Sequence, residues 1–93
     1  MTETTKRIIY EILKIPKGKV SCYRDIALRA GVPNGARLVV RVLHSMTMKH
    51  KLPWWRVVRA DGKIALSGEG MLEQLRLLRS EGVKVSDDGV VDF

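Results

Sequence analysis

The stretch that most constrains this chain is Pro53-Trp54-Trp55-Arg56-Val57-Val58, which sets both of its tryptophans side by side. Proline fixes φ and withholds an amide, so Pro53 is expected to end a loop just before Val57-Val58 begin a strand. Side chains alternate along a near-extended backbone, which places Trp54 and Trp55 on opposite sides of it. One ring then enters a core while the other faces a cavity. The plainer alternative is that both rings serve only as core, because tryptophan supplies large buried area.

What surrounds the pair is basic. Residues 1–80 hold sixteen Lys/Arg against six Asp/Glu, whereas residues 81–93 hold one against four. From Ile26 to Ala60 there is no acid, and seven cations (Arg29, Arg37, Arg41, Lys49, Lys51, Arg56, Arg59) occupy that window. Such a run reads as an electrostatic footprint for a polyanion, the alternative being a solvated basic face without a partner. A membrane-surface role is disfavoured, because no basic stripe is paired with a broad apolar one. No segment approaches the about 18 apolar residues that a transmembrane helix needs.

The length of 93 residues predicts one domain, 1–93, with a modest core. Residues 1–7 lack the apolar stretch of a signal peptide, and the single Cys22 cannot close an internal disulfide. A cytoplasmic monomer is expected, nucleoid-associated in a bacterium or nuclear in a eukaryote. His44 and His50 have no second cysteine or carboxylate at ligand spacing, so neither metal nor cofactor is expected.

Periodicity supplies the elements. Thr4 or Thr5 is a plausible N-cap for a first helix carrying Ile8, Ile9, Ile12 and Leu13 and stopped by Pro16. Ser21 can cap a second helix with Tyr23, Ile26, Ala27 and Ala30 on one face, ended by Gly31. Asn34 can cap a third from Gly35 to about Ser45, with Val39, Val42, Leu43 and Met46 inward and Arg37, Arg41 and His44 opposite. Two helices joined by Gly31-Val32-Pro33-Asn34 fit a helix-turn-helix whose second member carries the cations. A polar loop over 46–51 then leads to Pro53. Val57 to Leu66 reads as a hairpin around Asp61-Gly62, a candidate wing. Ser67-Gly68-Glu69-Gly70 breaks regularity before a fourth helix with Met71, Leu72, Leu75 and Leu78 on its apolar stripe and Gly82 as C-cap. Val83–Val85 and Val90–Phe93 are expected to pair. The fold class is mainly α with small β-hairpins, a winged helix-turn-helix DNA-binding domain.

Pro53-Trp54-Trp55-Arg56-Val57-Val58 resembles the Pro-Cys-His-Arg-Val-Val/Ile motif of the O6-alkylguanine-DNA alkyltransferases, with tryptophan in the place of the nucleophilic cysteine. That replacement is the mark of alkyltransferase-like proteins. The resemblance runs from about Ile15 to Val85 and includes Ile15-Pro16-Lys17-Gly18-Lys19-Val20-Ser21, Tyr23, Ile26-Ala27, Gly31-Val32-Pro33, Ala36-Arg37 and Leu77-Leu78-Arg79-Ser80-Glu81-Gly82.

The resemblance implies a DNA-handling apparatus without the chemistry. Trp54 offers no nucleophile and Trp55 no titratable nitrogen, so thiolate alkyl transfer cannot run there. Cys22, about thirty residues away in the sequence, is read as structural. Glu81 matches the family's relay glutamate; without its partners it is read as tying the end of the fourth helix to Trp55 or a backbone amide. In the resembled family the helix-turn-helix enters the minor groove, an arginine at the position of Arg37 replaces an extruded nucleotide in the stack, and a tyrosine at that of Tyr23 crowds the phosphate. The implied DNA-binding set is Tyr23, Asn34, Arg37, Arg41 and His44, and the implied lesion pocket Trp54, Trp55, Arg56, Ser67 and Gly68. Tyr23 as a core residue and Arg37 as an ordinary phosphate contact are the alternatives.

Three positions depart from the pattern. Ser67 falls where the enzymes have a tyrosine contacting the lesion oxygen, Met46 replaces an asparagine that pins the preceding loop, and Trp55 replaces a histidine that most alkyltransferase-like proteins retain. The implied function is a non-catalytic sensor of O6-alkylguanine in double-stranded DNA that holds the lesion flipped and flags it for nucleotide excision repair proteins. The competing reading is a winged-helix regulator that reads sequence in the major groove.

Overall fold

A computed structural model describes residues 1–92; the sequence expectation for Phe93 lies outside them. Four helices dominate: α1 (Glu3–Leu13), α2 (Tyr23–Arg29), α3 (Ala36–His50) and α4 (Gly68–Ser80). Two short strands, β1 (Ser21–Cys22) and β2 (Val57–Val58), pair in parallel with Ser21 opposite Val57 and Cys22 opposite Val58. The mainly α class holds. The β component adds this parallel pair, which the sequence does not announce.

Helix ends show where local signals misled. Thr2, not Thr4 or Thr5, caps α1: its Oγ1 accepts the Thr5 amide at 3.1 Å. Ser21 does not cap α2, because β1 takes it into the sheet and Cys22 becomes the N-cap without a side-chain bond. Asn34 stays in the exposed turn, and Gly35 occupies the N-cap of α3. Gly35 is required there, since a Cβ would stand 2.9 Å from the Val32 carbonyl oxygen. Gly31, at φ +84°, closes α2 as expected. Between the two helices the chain turns sharply, producing the helix-turn-helix.

α3 runs on through the predicted polar loop to His50 and ends at Lys51 in the left-handed region, φ 52°. Residues 46–49 include good helix formers with no glycine or proline, so propagation costs little once the helix has started. The expected extended backbone at Trp54-Trp55 is instead a 3-10 turn, Trp54–Arg56, after Pro53. The wing is reduced to a tight turn, in which the Gly62 amide donates to the Arg59 carbonyl at 2.9 Å and that of Arg59 to Lys63 at 2.9 Å. No returning strand follows among the described residues; Lys63 instead bridges Val90, and Val85 bridges Val91 antiparallel, as expected of the C-terminal hairpin.

β2 is the seam between two cores. Its successive side chains point to opposite faces, and Val57 joins the cluster under α1–α3 (Ile8, Ile12, Ile26, Val39) while Val58 joins the one under α4 (Ile64, Leu75, Leu78, Val85). Leu13 and Leu72, expected inward, are exposed, and Gln74 is buried on the inner face of α4. No helix among the described residues is long and apolar enough to cross a membrane.

Candidate nucleic-acid interface

Arg37, Arg41 and His44 recur at i, i+4 and i+7 on α3, so they share one exposed face. Neither arginine forms an ion pair among the described residues. Asn34 is exposed at the turn that opens this face. The stripe also holds Val40 and ends at a cavity of about 330 Å³ lined by Val40, Leu43 and His44 of α3, Tyr23 of α2, Trp54, Val57, Ala65, Leu66 and Gln74. Its size lies within the roughly 300–1,000 Å³ of small-ligand sites. The wall is aromatic and aliphatic.

Tyr23 is half-buried at the start of α2, where its ring packs on the first core as well as lining the cavity. Burial raises its phenol above the ordinary value of 10.0, with Arg59 opposing, so the hydroxyl stays protonated at neutral pH.

The two tryptophans separate as expected even though the backbone between them is not extended. Their ring centroids lie 6.1 Å apart at 89°, an edge-to-face pair. Trp54 walls the cavity, while Trp55 packs on the second core. Trp55, Arg56, Ser67 and Gly68 do not line this cavity. For Arg56 the reason is Glu81. Its Nε and Nη2 donate to Oε1 at 2.9 Å and Oε2 at 2.6 Å, and Nη1 donates to the Ile15 carbonyl at 2.9 Å. The guanidinium also lies over the Trp55 ring at 5.2 Å.

Glu81 thus ties the end of α4 to this turn, and also accepts the Gly18 amide at 3.5 Å. The Arg56 hydrogen bonds hold its carboxyl at about 2 against burial, with smaller favourable contributions from Trp55 and Gly18. The Trp55 indole N–H is buried and has no hydrogen-bond partner among the described residues. Ser67 occupies the N-cap of α4 without a capping bond, and Gly68 follows at φ +58°.

Sequence reasoning missed Val40, Leu43, Val57, Ala65, Leu66 and Gln74 as lining residues. Gln74 carried a signal: it is the polar side chain in the inward series Met71, Gln74, Leu75, Leu78. Cys22 is buried on β1, outside the cavity. Among the described residues no three His, Cys, Asp or Glu gather to hold a metal.

A cation-bearing second helix, a tight turn and an apolar cavity at the helix face define a helix-turn-helix domain of the nucleic-acid-binding class. The model of the 6-O-methylguanine DNA methyltransferase DNA-binding domain matches residues 3–83, and the chain belongs to that family. It is 42% identical to a DNA base-flipping protein of Vibrio parahaemolyticus over 98% of this chain and 91% of that protein. It is 32% identical to Alkyltransferase-like protein 1 of Schizosaccharomyces pombe, over 100% of this chain and 88% of that one. The fold matches the crystal structure of S. pombe Atl1 in complex with damaged DNA containing O6-carboxymethylguanine, with TM-score 0.81, 32% identity and coverage of 92% and 82%.

Proposed function

We propose that this chain is a non-catalytic sensor of damaged DNA that holds an O6-alkylguanine, rotated out of the duplex, in the Trp54 cavity. The observation that carries the reading is the position of that cavity, at the exposed, cation-bearing face of α3 and walled by Trp54 at the place of the family's nucleophile. Relatives named for base flipping and a similar fold bound to an O6-alkylated guanine support it. Flipping costs a few kcal/mol, and stacking on an aromatic wall returns about 1–3 kcal/mol per base.

In this reading Tyr23 crowds the phosphate, Arg37 fills the vacated stack, and Arg41, His44 and Asn34 contact the backbone. Residues 1–93 act as one domain and a monomer, and the bound lesion is flagged for nucleotide excision repair proteins. Comparing affinities for one duplex with and without a single O6-methylguanine tests the sensor. Tighter binding of the lesion duplex is expected, and equal binding favours the sequence-reading regulator. Mass spectrometry after incubation with the methylated duplex is expected to return an unmodified chain. A stoichiometric methyl gain on Cys22 would overturn the non-catalytic assignment.

A further inference from the structure

Trp54 walls the cavity from a partly exposed position and belongs to neither buried core among the described residues. Its ring is therefore placed by the main chain that carries it and by the edge of Trp55, whose ring centroid is 6.1 Å away. That main chain is held from α4. Gln74 is 2% exposed, and its Nε2 donates to the carbonyls of Trp55 at 3.1 Å and Val57 at 3.0 Å. Two helical turns further on, along the same side, Glu81 grips the Arg56 guanidinium between those carbonyls. The three residues that follow Trp54 are thus fastened one after another to α4 and its cap.

We propose that Gln74 is the positioning residue of the cavity: by tying the Trp55 and Val57 carbonyls to α4 it fixes the turn from which Trp54 projects, so that the aromatic wall stands formed before a base arrives. The inference rests on the cavity being a base pocket. A leucine or methionine would fill the same place in the Met71, Leu75, Leu78 stripe without the cost of burying an amide, which is offset only through the bonds it makes. Carbonyls only accept, so a donor is what the site requires, and one amide nitrogen serves both sides of Arg56. A wall that has to be ordered on binding lowers apparent affinity by the fraction of molecules in which it is already in place. That loss falls on a flipped base, because the cations of α3 meet the duplex whether or not Trp54 is in position.

The test compares the native chain with Gln74→Met, of similar length and without a donor, and with Gln74→Lys, whose ammonium can donate to both carbonyls. Each is labelled with fluorotryptophan, its two fluorine resonances assigned through Trp54→Phe and Trp55→Phe, and each is titrated with one duplex carrying guanine or O6-methylguanine. Without DNA, the Trp54 resonance is expected to be single and sharp in the native chain and broadened or split in Gln74→Met. Preference for the lesion duplex is expected to fall about tenfold in Gln74→Met, as when the held turn drops to about a tenth of the population. Gln74→Lys restores both; its added charge acts on the two duplexes alike and cancels in the ratio. If Gln74→Met melts below the assay temperature, Gln74→Glu, of the same shape with at most one acidic proton for two carbonyls, is expected to give a smaller loss of the same kind. A sharp Trp54 resonance and full preference in a folded variant lacking the donor overturn the inference and leave the base pocket standing. Equal losses on both duplexes make Gln74 a general support of the fold and also overturn it. A native chain whose Trp54 resonance responds to Gln74→Met but which binds the two duplexes equally overturns the base pocket instead.

Discussion

The two sides of the Trp54–Arg56 turn follow different rules. On one side Arg56 is 15% exposed and Glu81 8%, and their two-point bond, the Ile15 carbonyl and the Trp55 ring account for the charged groups there. On the other, Trp54 walls an open cavity, and Arg37 and Arg41 stand exposed without ion pairs among the described residues. Adjacent residues of one motif thus divide the labour. Paired charge in a closed setting holds the two cores together, and unpaired charge beside an open aromatic wall is left for a partner.

The largest effect should come from breaking the closed side. Arg56→Ala leaves Glu81 buried without its cation, a change that costs about 3–5 kcal/mol where such pairs are broken. Denaturant unfolding checks it, and a loss under 1 kcal/mol would show that the pair is not structural. Acid should act through the same group. With the folded carboxyl at about 2 and its ordinary value at 4.5, the stabilisation is present above 4.5 and is lost as pH falls toward 2. Melting temperatures of the native chain should therefore drop through that window, and those of Arg56→Ala should drop less.

The open side should respond in binding and not in stability. Arg37→Ala should erode preference for a lesion duplex more than general affinity, since the unstacking cost remains and nothing replaces the missing base. Equal losses on damaged and undamaged duplexes would make Arg37 a phosphate contact. The smallest effect is expected for Arg41→Ala, which should weaken both duplexes similarly and reduce the log–log salt slope by about 0.9. A loss confined to the lesion duplex would move Arg41 into the pocket.

How far the sequence reached follows from the range of each interaction. Apolar spacing located Ile8, Ile12, Ile26, Val39 and Val42 as core and so placed three helices and their tight connection, all local properties. Caps were misplaced because Thr2, Thr4 and Thr5, or Ser21 and Asn34, offer the same oxygen, and packing decides which is used. The parallel pairing of Ser21 with Val57 lies beyond any local pattern, as does the Arg56–Glu81 bond, 25 residues apart. Gln74 was legible only as a break in an apolar stripe, and the carbonyls that orient it come from the tryptophan turn and β2.

Trp54→Ala, with melting temperature and affinities for matched lesion and undamaged duplexes taken on one preparation, tests the division most directly. Removal of the aromatic wall should cost about 1–3 kcal/mol of binding, chiefly on the lesion duplex, while cooperative unfolding persists near the native temperature. A destabilised protein whose folded fraction keeps its full lesion preference would contradict the account and make Trp54 core.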